Sequence, residues 1–208
     1  MDPLRRYAEL LLDWNRTANL TGARSMDQVE ALMADAGALL AVTWEGIERV
    51  IDIGSGGGLP AVPLALKLTA IEFSLLEANG RKCAFLEHVA ATLELRNVRV
   101  LAGRAEELGH RPEFREHFDR AISRAAAPPA VLLELALPFV KPGGDLIAEV
   151  STVDPHLLEP GARILGGGAP HLEQPEPAGS RLLVVQKVTS TPAAYPRRVG
   201  LPSRKPLA

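Results

Sequence analysis

Apolar residues near the start of the chain recur at helical spacing. Four of them lie three or four positions apart: Leu4, Tyr7, Leu11 and Trp14. A second periodic segment runs over 25–40, and it opens with Ser25 and Gln28 in the relation of a capping box. The pattern predicts a small helical cap over residues 1–45.

After this cap, the pattern changes to short β-branched runs that alternate with helical segments. The predicted strands are 49–53, 71–76, 98–101, 118–123, 145–150 and 181–188. The predicted helical segments are 60–68, 80–95, 128–140 and 155–166, with a further short helix after 98–101. This order predicts an α/β core over residues 46–190, in which a mostly parallel sheet carries helices on both faces.

The last segment, residues 191–208, contains too many prolines for a helix or a central strand. We expect it to form a basic tail that lies extended over the surface. Residues 166–180 are rich in glycine and proline and predict a loop-rich hairpin arm. Cap, core and tail are expected to form one domain, residues 1–208.

Composition narrows the class of protein. A chain of 208 residues with 47% apolar residues can fill one core. It has no run of eighteen apolar residues and no apolar N-terminal stretch of the secretory type, so we expect a soluble, cytoplasmic protein with no membrane partner. The net charge is −2, yet six basic and no acidic residues follow from Arg181 onward. That segment either meets a polyanion or is a solvated, frayed tail.

The stretch IDIGSGGGLP, residues 51–60, places glycines where the first strand of the sheet ends. Open α/β sheets bind ligands at this edge, and glycine lets a ligand approach main-chain N–H groups. A P-loop is excluded because Leu59-Pro60 stands where Lys-Ser/Thr is required, and Leu59 also replaces the third glycine of a dinucleotide loop. The remaining pattern is an acid followed by spaced glycines: Asp52, Gly54, Gly56 and Gly58.

This pattern resembles the first motif of class I S-adenosylmethionine-dependent methyltransferases. The resemblance implies a Rossmann-like sheet and S-adenosyl-L-methionine as the cofactor. A cationic, zwitterionic ligand favours a nearby carboxylate, whereas a pyrophosphate would not. Glu77 ends the second strand, where a carboxylate can accept both hydroxyls of a ribose. Residues 103–108, GRAEEL, would border the adenine, and a helix N-terminus is their alternative role.

A narrower resemblance covers nearly the whole chain. NLTGAR, LLEANGRKCAFLEHV, FDRAISRAAAPP and YPRRVGLPSRKPL resemble, in this order, segments of the bacterial RsmG (GidB) family. That family methylates N7 of a guanine in 16S ribosomal RNA, so the resemblance implies this RNA, or the small ribosomal subunit, as partner. It also implies a cofactor pocket formed by Gly54, Leu59, Glu77, Ala78, Ala105, Glu106 and Arg124.

Two segments depart from the family pattern. The second helical segment keeps only Asp35 where the family has Lys-His followed by an acidic Asp-Ser segment, and AEVST has Glu149 and Ser151 where the family has Lys-Gly. These changes leave open a class I methyltransferase that acts on another RNA or on a small molecule. A cofactor-binding module without turnover is the third possibility.

Two residues are candidates for catalysis at the target base. Arg124, at the end of the fourth strand, is predicted to shape the cofactor and base pockets together, with a salt bridge to Asp119 or Glu134 as the alternative. Asn19 is predicted to contact the base edge, with capping of the next segment as the alternative. No metal is expected at the site.

Contacts with RNA are predicted for exposed basic residues near both ends of the chain: Arg16, Arg24, Arg197, Arg198, Arg204 and Lys205. Because the predicted cofactor residues lie at the strand ends, replacing Arg197 and Arg198 is expected to leave cofactor affinity unchanged. We expect the protein to act as a monomer.

Overall fold

The computed structural model describes residues 2–175 and 181–208. In these ranges seven strands form one sheet, in the order β3-β2-β1-β4-β5-β7-β6. The strands are β1 (Arg49–Ile53), β2 (Glu72–Glu77), β3 (Val98–Ala102), β4 (Phe118–Arg124), β5 (Val140–Val150), β6 (His171–Glu173) and β7 (Arg181–Gln186). Strands β1 to β5 pair in parallel, while β7 pairs antiparallel with both β5 and β6. The mostly parallel sheet predicted from the sequence is confirmed.

Helices cover both faces of this sheet. The helices are α1 (Pro3–Ala18), α2 (Met26–Ala36), α3 (Ala61–Lys67), α4 (Gly80–Thr92), α5 (Ala105–Leu108), α6 (Pro129–Ala136), α7 (Glu159–Ile164) and α8 (Leu201–Arg204). One apolar core joins α1 to α4 to the sheet, and a second joins α5, α6 and α7 to its other face. Among the described residues, no helix is long and apolar enough to cross a bilayer.

Strand β5 begins five positions before its predicted start at 145. Residues 141–144, KPGG, carry no apolar alternation, and the pairing of β4 with β5 shifts in register between Phe118 and Arg120. This irregularity interrupts the period of two that marks a strand in sequence. Strands β6 and β7 pair as the predicted hairpin arm requires, and residues 176–180 of that arm lie outside the described residues.

The tail is not extended throughout, which corrects the sequence prediction. After Gly200, whose φ is 77°, residues Leu201–Arg204 form the helical turn α8. Pro202 fits there because the first N–H groups of a helix have no partner inside the helix. The rule that proline is excluded from helices applies to a helix interior. It does not apply to the first turn, where Pro202 lies.

Arg120 connects the helical cap to the sheet. Its Nε and Nη2 donate to the carboxylate of Asp145 at 2.7 and 2.8 Å, and its Nη1 donates to the carbonyl oxygen of Thr43 at 2.8 Å. The guanidinium carbon also lies 4.8 Å from the centre of the Trp44 ring. These contacts hold the segment that leads from the cap into β1, and so they fix where β1 enters the sheet.

Candidate active site

The carboxyl ends of β1 to β4 surround a cleft of about 490 Å³, which we call the main cleft. It lies beside the boundary between β1 and β4, where the strand order reverses and where open α/β sheets bind ligands. The residues that line it are 20–22, 53–57, 59, 76–78, 82, 103–106, 124–127, 135 and 203.

Most of the predicted cofactor residues line this cleft. They are Gly54, Gly56, Leu59, Glu77, Ala78, Ala105, Glu106 and Arg124. Asp52 and Gly58 do not line it. The sequence also failed to identify several lining residues, among them Lys82 and Ser203, because nothing in their local pattern links them to the glycine loop.

Two glycines of the loop are required by packing against protein atoms. Gly54 has a φ of 72°, and a Cβ placed on it would lie 2.6 Å from the Cβ of Ala126. Gly58 has a φ of 89°, and its Cβ would lie 2.7 Å from Cγ2 of Val62. The prediction that Gly58 contacts the cofactor is therefore corrected, since this glycine lets α3 pack against the loop.

Gly56 behaves differently from its neighbours in the loop. An added Cβ would meet no atom closer than the carbonyl oxygen of Gly54, at 3.8 Å. Its N–H donates to Oε2 of Glu77 at 3.0 Å. Protein atoms therefore pack closely against the loop at residues 54 and 58. Between them, Gly56 makes the contact to Glu77.

Glu77 has the geometry expected of a ribose-binding carboxylate. Its Oε1 accepts the N–H of Asn79 at 2.8 Å, and its Oε2 accepts that of Gly56. The side chain is almost fully buried at the wall of the main cleft. Because each carboxylate oxygen has two acceptor positions, both oxygens can still accept a hydroxyl from a ligand in the cleft.

Asp52 lies beneath the loop, which corrects its prediction as a cofactor contact. Alternation along β1 directs Ile51 and Ile53 into the core under α6, whereas Asp52 pairs in register with residues of the cap-side core. It is 1% exposed, and within residues 2–175 and 181–208 neither carboxylate oxygen has a hydrogen-bond partner. Burial raises its pKa to about 8, the charges of Glu149 and Glu77 raise it further, and the charge of Arg124 opposes the shift.

Arg124 stands between the main cleft and a second cleft of about 440 Å³. Its Nη1 donates to the carbonyl oxygen of Leu32 in α2 at 2.8 Å, and its Nε lies 3.9 Å from Oε2 of Glu149. The predicted alternative pairs do not form, because Asp119 pairs with Lys141 and Glu134 pairs with Arg197. Arg124 is thus held from α2 and β5, at the wall that the two clefts share.

The second cleft is lined by carboxylates from two separate segments. Asp35 of α2 and Glu149 of β5 both line it, so the two segments that depart from the family pattern lie together. Burial raises the pKa of Glu149 to about 7, with Arg124 opposing and Asp35 adding to this shift. Oε1 of Glu149 has no hydrogen-bond partner among the residues that the structure describes.

Asn19 ends helix α1 in the left-handed conformation, with φ 48° and ψ 56°. It is exposed and lines a separate groove with Arg16 and Arg24, away from the main cleft. The predicted role of Asn19 at the reacting base is therefore corrected.

Asn15, which the sequence did not single out, shapes the turn after α1. Its Oδ1 accepts the N–H groups of Leu20 and Thr21 at 2.7 and 3.0 Å, and its Nδ2 donates to the carbonyl oxygens of Thr21 and Ala23. These bonds place residues 20–22 at the main cleft. An asparagine in the last turn of a helix was the available signal, because its short amide can bond to nearby main-chain groups.

The predicted RNA-binding residues fall into two groups. The prediction that Arg197 contacts RNA is corrected, because its guanidinium pairs with the buried Glu134 and its charge is neutralised inside the fold. The other five remain exposed: Arg16, Arg24, Arg198, Arg204 and Lys205. In the part of the chain that the structure describes, no group of three or more His, Cys, Asp or Glu side chains is arranged to hold a metal ion.

Comparison with known proteins gives matches over the whole chain. The model of a family described as rRNA small subunit methyltransferase G, GidB, matches residues 1–150. A protein of Roseiflexus castenholzii named ribosomal RNA small subunit methyltransferase G is 37% identical over 100% of this chain and 92% of its own length. Its namesake in Dictyoglomus thermophilum is 35% identical over 100% of this chain and 91% of its own.

A solved structure supports the fold. The S-adenosylmethionine-dependent methyltransferase SibL, in its apo form, superposes with a TM-score of 0.62 at 16% identity. The superposition covers 91% of this chain and 70% of SibL. The class I methyltransferase fold predicted from the glycine loop is confirmed.

The burial of Asp52 predicts a specific pH dependence of stability. The unfolded chain releases the proton of Asp52 near its ordinary pKa of 3.8, whereas the folded chain keeps it up to about pH 8. The contribution of Asp52 to the free energy of unfolding therefore falls as pH rises between those values, by about 1.4 kcal/mol per pH unit. Asp52→Asn removes the dependence, so its unfolding free energy relative to wild type should rise steadily as the pH is raised across this window.

Urea denaturation at several pH values inside the window checks this expectation. Asp27→Asn, at an exposed position of α2, is the matched control for losing one carboxylate. If the stability curves of wild type and Asp52→Asn ran parallel across the window, Asp52 would be ionised in the folded protein and the account of its burial would be contradicted.

Proposed function

Because the chain belongs to the rRNA small subunit methyltransferase G family, we propose that it transfers a methyl group from S-adenosylmethionine to N7 of a guanine in 16S ribosomal RNA. The observation that carries this proposal is the junction of two clefts at Arg124. One cleft has the residues that suit the cofactor. The other opens beside it, at the ends of β4 and β5, and is the candidate site for the base.

The residues of the main cleft fit S-adenosylmethionine. This cofactor supplies an electrophilic methyl group on a sulfonium sulfur, which keeps the bonding electrons when the methyl group leaves. Glu77 would accept the ribose hydroxyls, and the glycine loop would bring its main chain close to the ligand. Since the methyl group must face the second cleft, on the β4 side of Glu77, the adenine would lie on the β3 side, along residues 103–106.

The target atom needs no general base. Guanine N7 presents a free lone pair on the major-groove edge, so no protein group has to remove a proton before the attack. The task of the protein is then to align the base with the methyl group, a contribution that can reach roughly 7 to 11 kcal/mol. Arg124, fixed by Leu32 and facing both clefts, is placed to define that alignment.

The charges of the second cleft suit the product of this reaction. The guanine ring gains a positive charge when its N7 is methylated. Asp35 and Glu149 line the cleft in which that charge would develop. Glu149 is almost fully buried, and a carboxylate shielded from water stabilises a developing positive charge more strongly than it would in bulk solvent.

The exposed basic residues give the proposed RNA surface two parts. Arg198, Arg204 and Lys205 belong to the tail beside the main cleft, and Arg16 and Arg24 line the groove next to α1. These side chains would bind phosphates and position the subunit RNA.

We also propose that the protein acts in the cytoplasm, since ribosomal subunits are assembled there, and that it acts as a monomer.

A second candidate substrate is another RNA. It is favoured by the same acidic lining of the second cleft, because its two carboxylates outnumber the one guanidinium and would repel a phosphate placed there. A target nucleotide held further from its neighbouring phosphates would avoid this repulsion. The identity of the methylated nucleotide separates the two candidates.

Glu77→Ala should weaken S-adenosylmethionine binding by about 1.5 to 3 kcal/mol, because it removes a charged acceptor of hydrogen bonds. Isothermal titration calorimetry measures the change, and circular dichroism checks that the fold persists. Glu87→Ala, at an exposed position of α4, is the matched control and should bind as wild type does. Equal affinity of the two variants would place Glu77 outside the ligand contact.

The proposed reaction is tested on small ribosomal subunits and on free 16S RNA that lack the modification. Each is incubated with the protein and isotopically labelled S-adenosylmethionine, and the labelled nucleotide is identified by mass spectrometry. We expect 7-methylguanosine at one position of 16S RNA. Label in a different RNA of a total RNA extract, with none in 16S RNA, would favour the second candidate.

A further inference from the structure

The end of the chain is held against the main cleft by buried glutamates. We refer to residues 196–205 as the strap. Its main chain has little regular structure, and two of its N–H groups are bound by side chains of the core. Arg197 N donates to Oε1 of Glu134 at 2.7 Å, and Gly200 N donates to Oε1 of Glu106 at 3.0 Å. Since these acceptors are buried, the strap has one defined position on the fold.

The side chain of Arg197 reinforces this attachment. Its Nε donates to both carboxylate oxygens of Glu134, at 2.9 and 3.1 Å, and its Nη2 donates to Oε2 at 2.6 Å. Nη2 also donates to the carbonyl oxygen of Lys205 at 2.7 Å. Charge-assisted, multidentate bonds of this kind are the strongest hydrogen bonds in proteins. One guanidinium therefore fixes both ends of the strap to α6.

The fixed strap reaches the ligand side of the cleft. Ser203 lines the main cleft, and Gly200 is bonded to Glu106, which lines the same cleft next to Ala105. The carboxylate of Glu106 is turned towards the strap and towards Arg104. Under the proposed function, residues 103–106 border the adenine, so the strap closes the cleft at its adenine end.

We propose that the strap is the outer wall of the adenine subsite, with Ser203 facing the ligand and Arg197 as the residue that positions the wall. The proposal rests on the proposed function, because it needs an adenine in the main cleft. It reverses the expectation that replacing Arg197 leaves cofactor affinity unchanged. Arg198, the next residue, is exposed, so its replacement is still expected to leave cofactor affinity unchanged.

The test compares Arg197→Ala with Arg198→Ala by calorimetric titration of two ligands. S-adenosylhomocysteine carries adenine, ribose and an amino-acid part, whereas methylthioadenosine lacks the amino-acid part. Arg197→Ala should weaken both ligands by the same factor, at least about tenfold, and Arg198→Ala should stay within about twofold of wild type. Equal loss for both ligands identifies an effect at the adenine end. Arg197→Ala with wild-type affinity for methylthioadenosine, or with a loss confined to S-adenosylhomocysteine, would overturn the proposal.

A second pair of variants keeps the test decisive if Arg197→Ala does not fold. Ser203→Tyr should fill part of the adenine subsite and weaken both ligands, whereas Arg204→Tyr, one position along and not among the residues that line the cleft, should not. Equal affinities of these two variants would contradict the proposal that the strap forms the outer wall of the adenine subsite. A wild-type protein that bound neither ligand would instead contradict the proposed function, so the two failures are distinguishable.

Discussion

The close packing around residues 54–58 is the constraint on which the site depends. Ala126 approaches Gly54 from the segment after β4, and Val62 of α3 approaches Gly58. At both positions a side chain would collide with protein atoms, so the loop can take this path only with glycine. The path then brings the N–H of Gly56 to Glu77 and leaves the cleft open between β1, β2 and β4. The glycines therefore shape the ligand site largely by letting the protein pack around it.

The sequence predicted the features that depend on local pattern. Alternation of β-branched runs with helical segments located the five parallel strands, and the acid at the end of β2, Glu77, lies at the main cleft as its strand-end position indicated. Some errors come from contacts between residues that are distant in sequence. Arg197 and Glu134 are 63 positions apart, so no local pattern shows that this arginine is paired. Asp52 was misplaced because a motif fixes residue spacing but not the direction in which a strand-end side chain points.

Buried carboxylates lie both beside the two clefts and under the tail. On the cap side of the sheet, both carboxylate oxygens of Asp52 and Oε1 of Glu149 have no hydrogen-bond partner among the described residues, and Oε2 of Glu149 pairs with Arg124. Buried carboxylates with raised pKa values of this kind cluster at functional sites. Glu106 and Glu134, on the other side, are used to hold the strap. The strap also carries the exposed Arg198, Arg204 and Lys205, so the segment whose Ser203 lines the main cleft also presents proposed phosphate contacts. Binding of RNA there would act on a wall of the cofactor site.

The central claim is that the main cleft holds S-adenosylmethionine with its methyl group towards the second cleft. A crystal structure of the protein with S-adenosylhomocysteine tests this claim most directly. The account predicts ribose hydroxyls within hydrogen-bond distance of the Glu77 carboxylate, the adenine between residues 103–106 and Ser203, and the sulfur next to Arg124. A ligand bound in the reverse direction, with its adenine at Arg124, or one seated in the second cleft, would contradict the account.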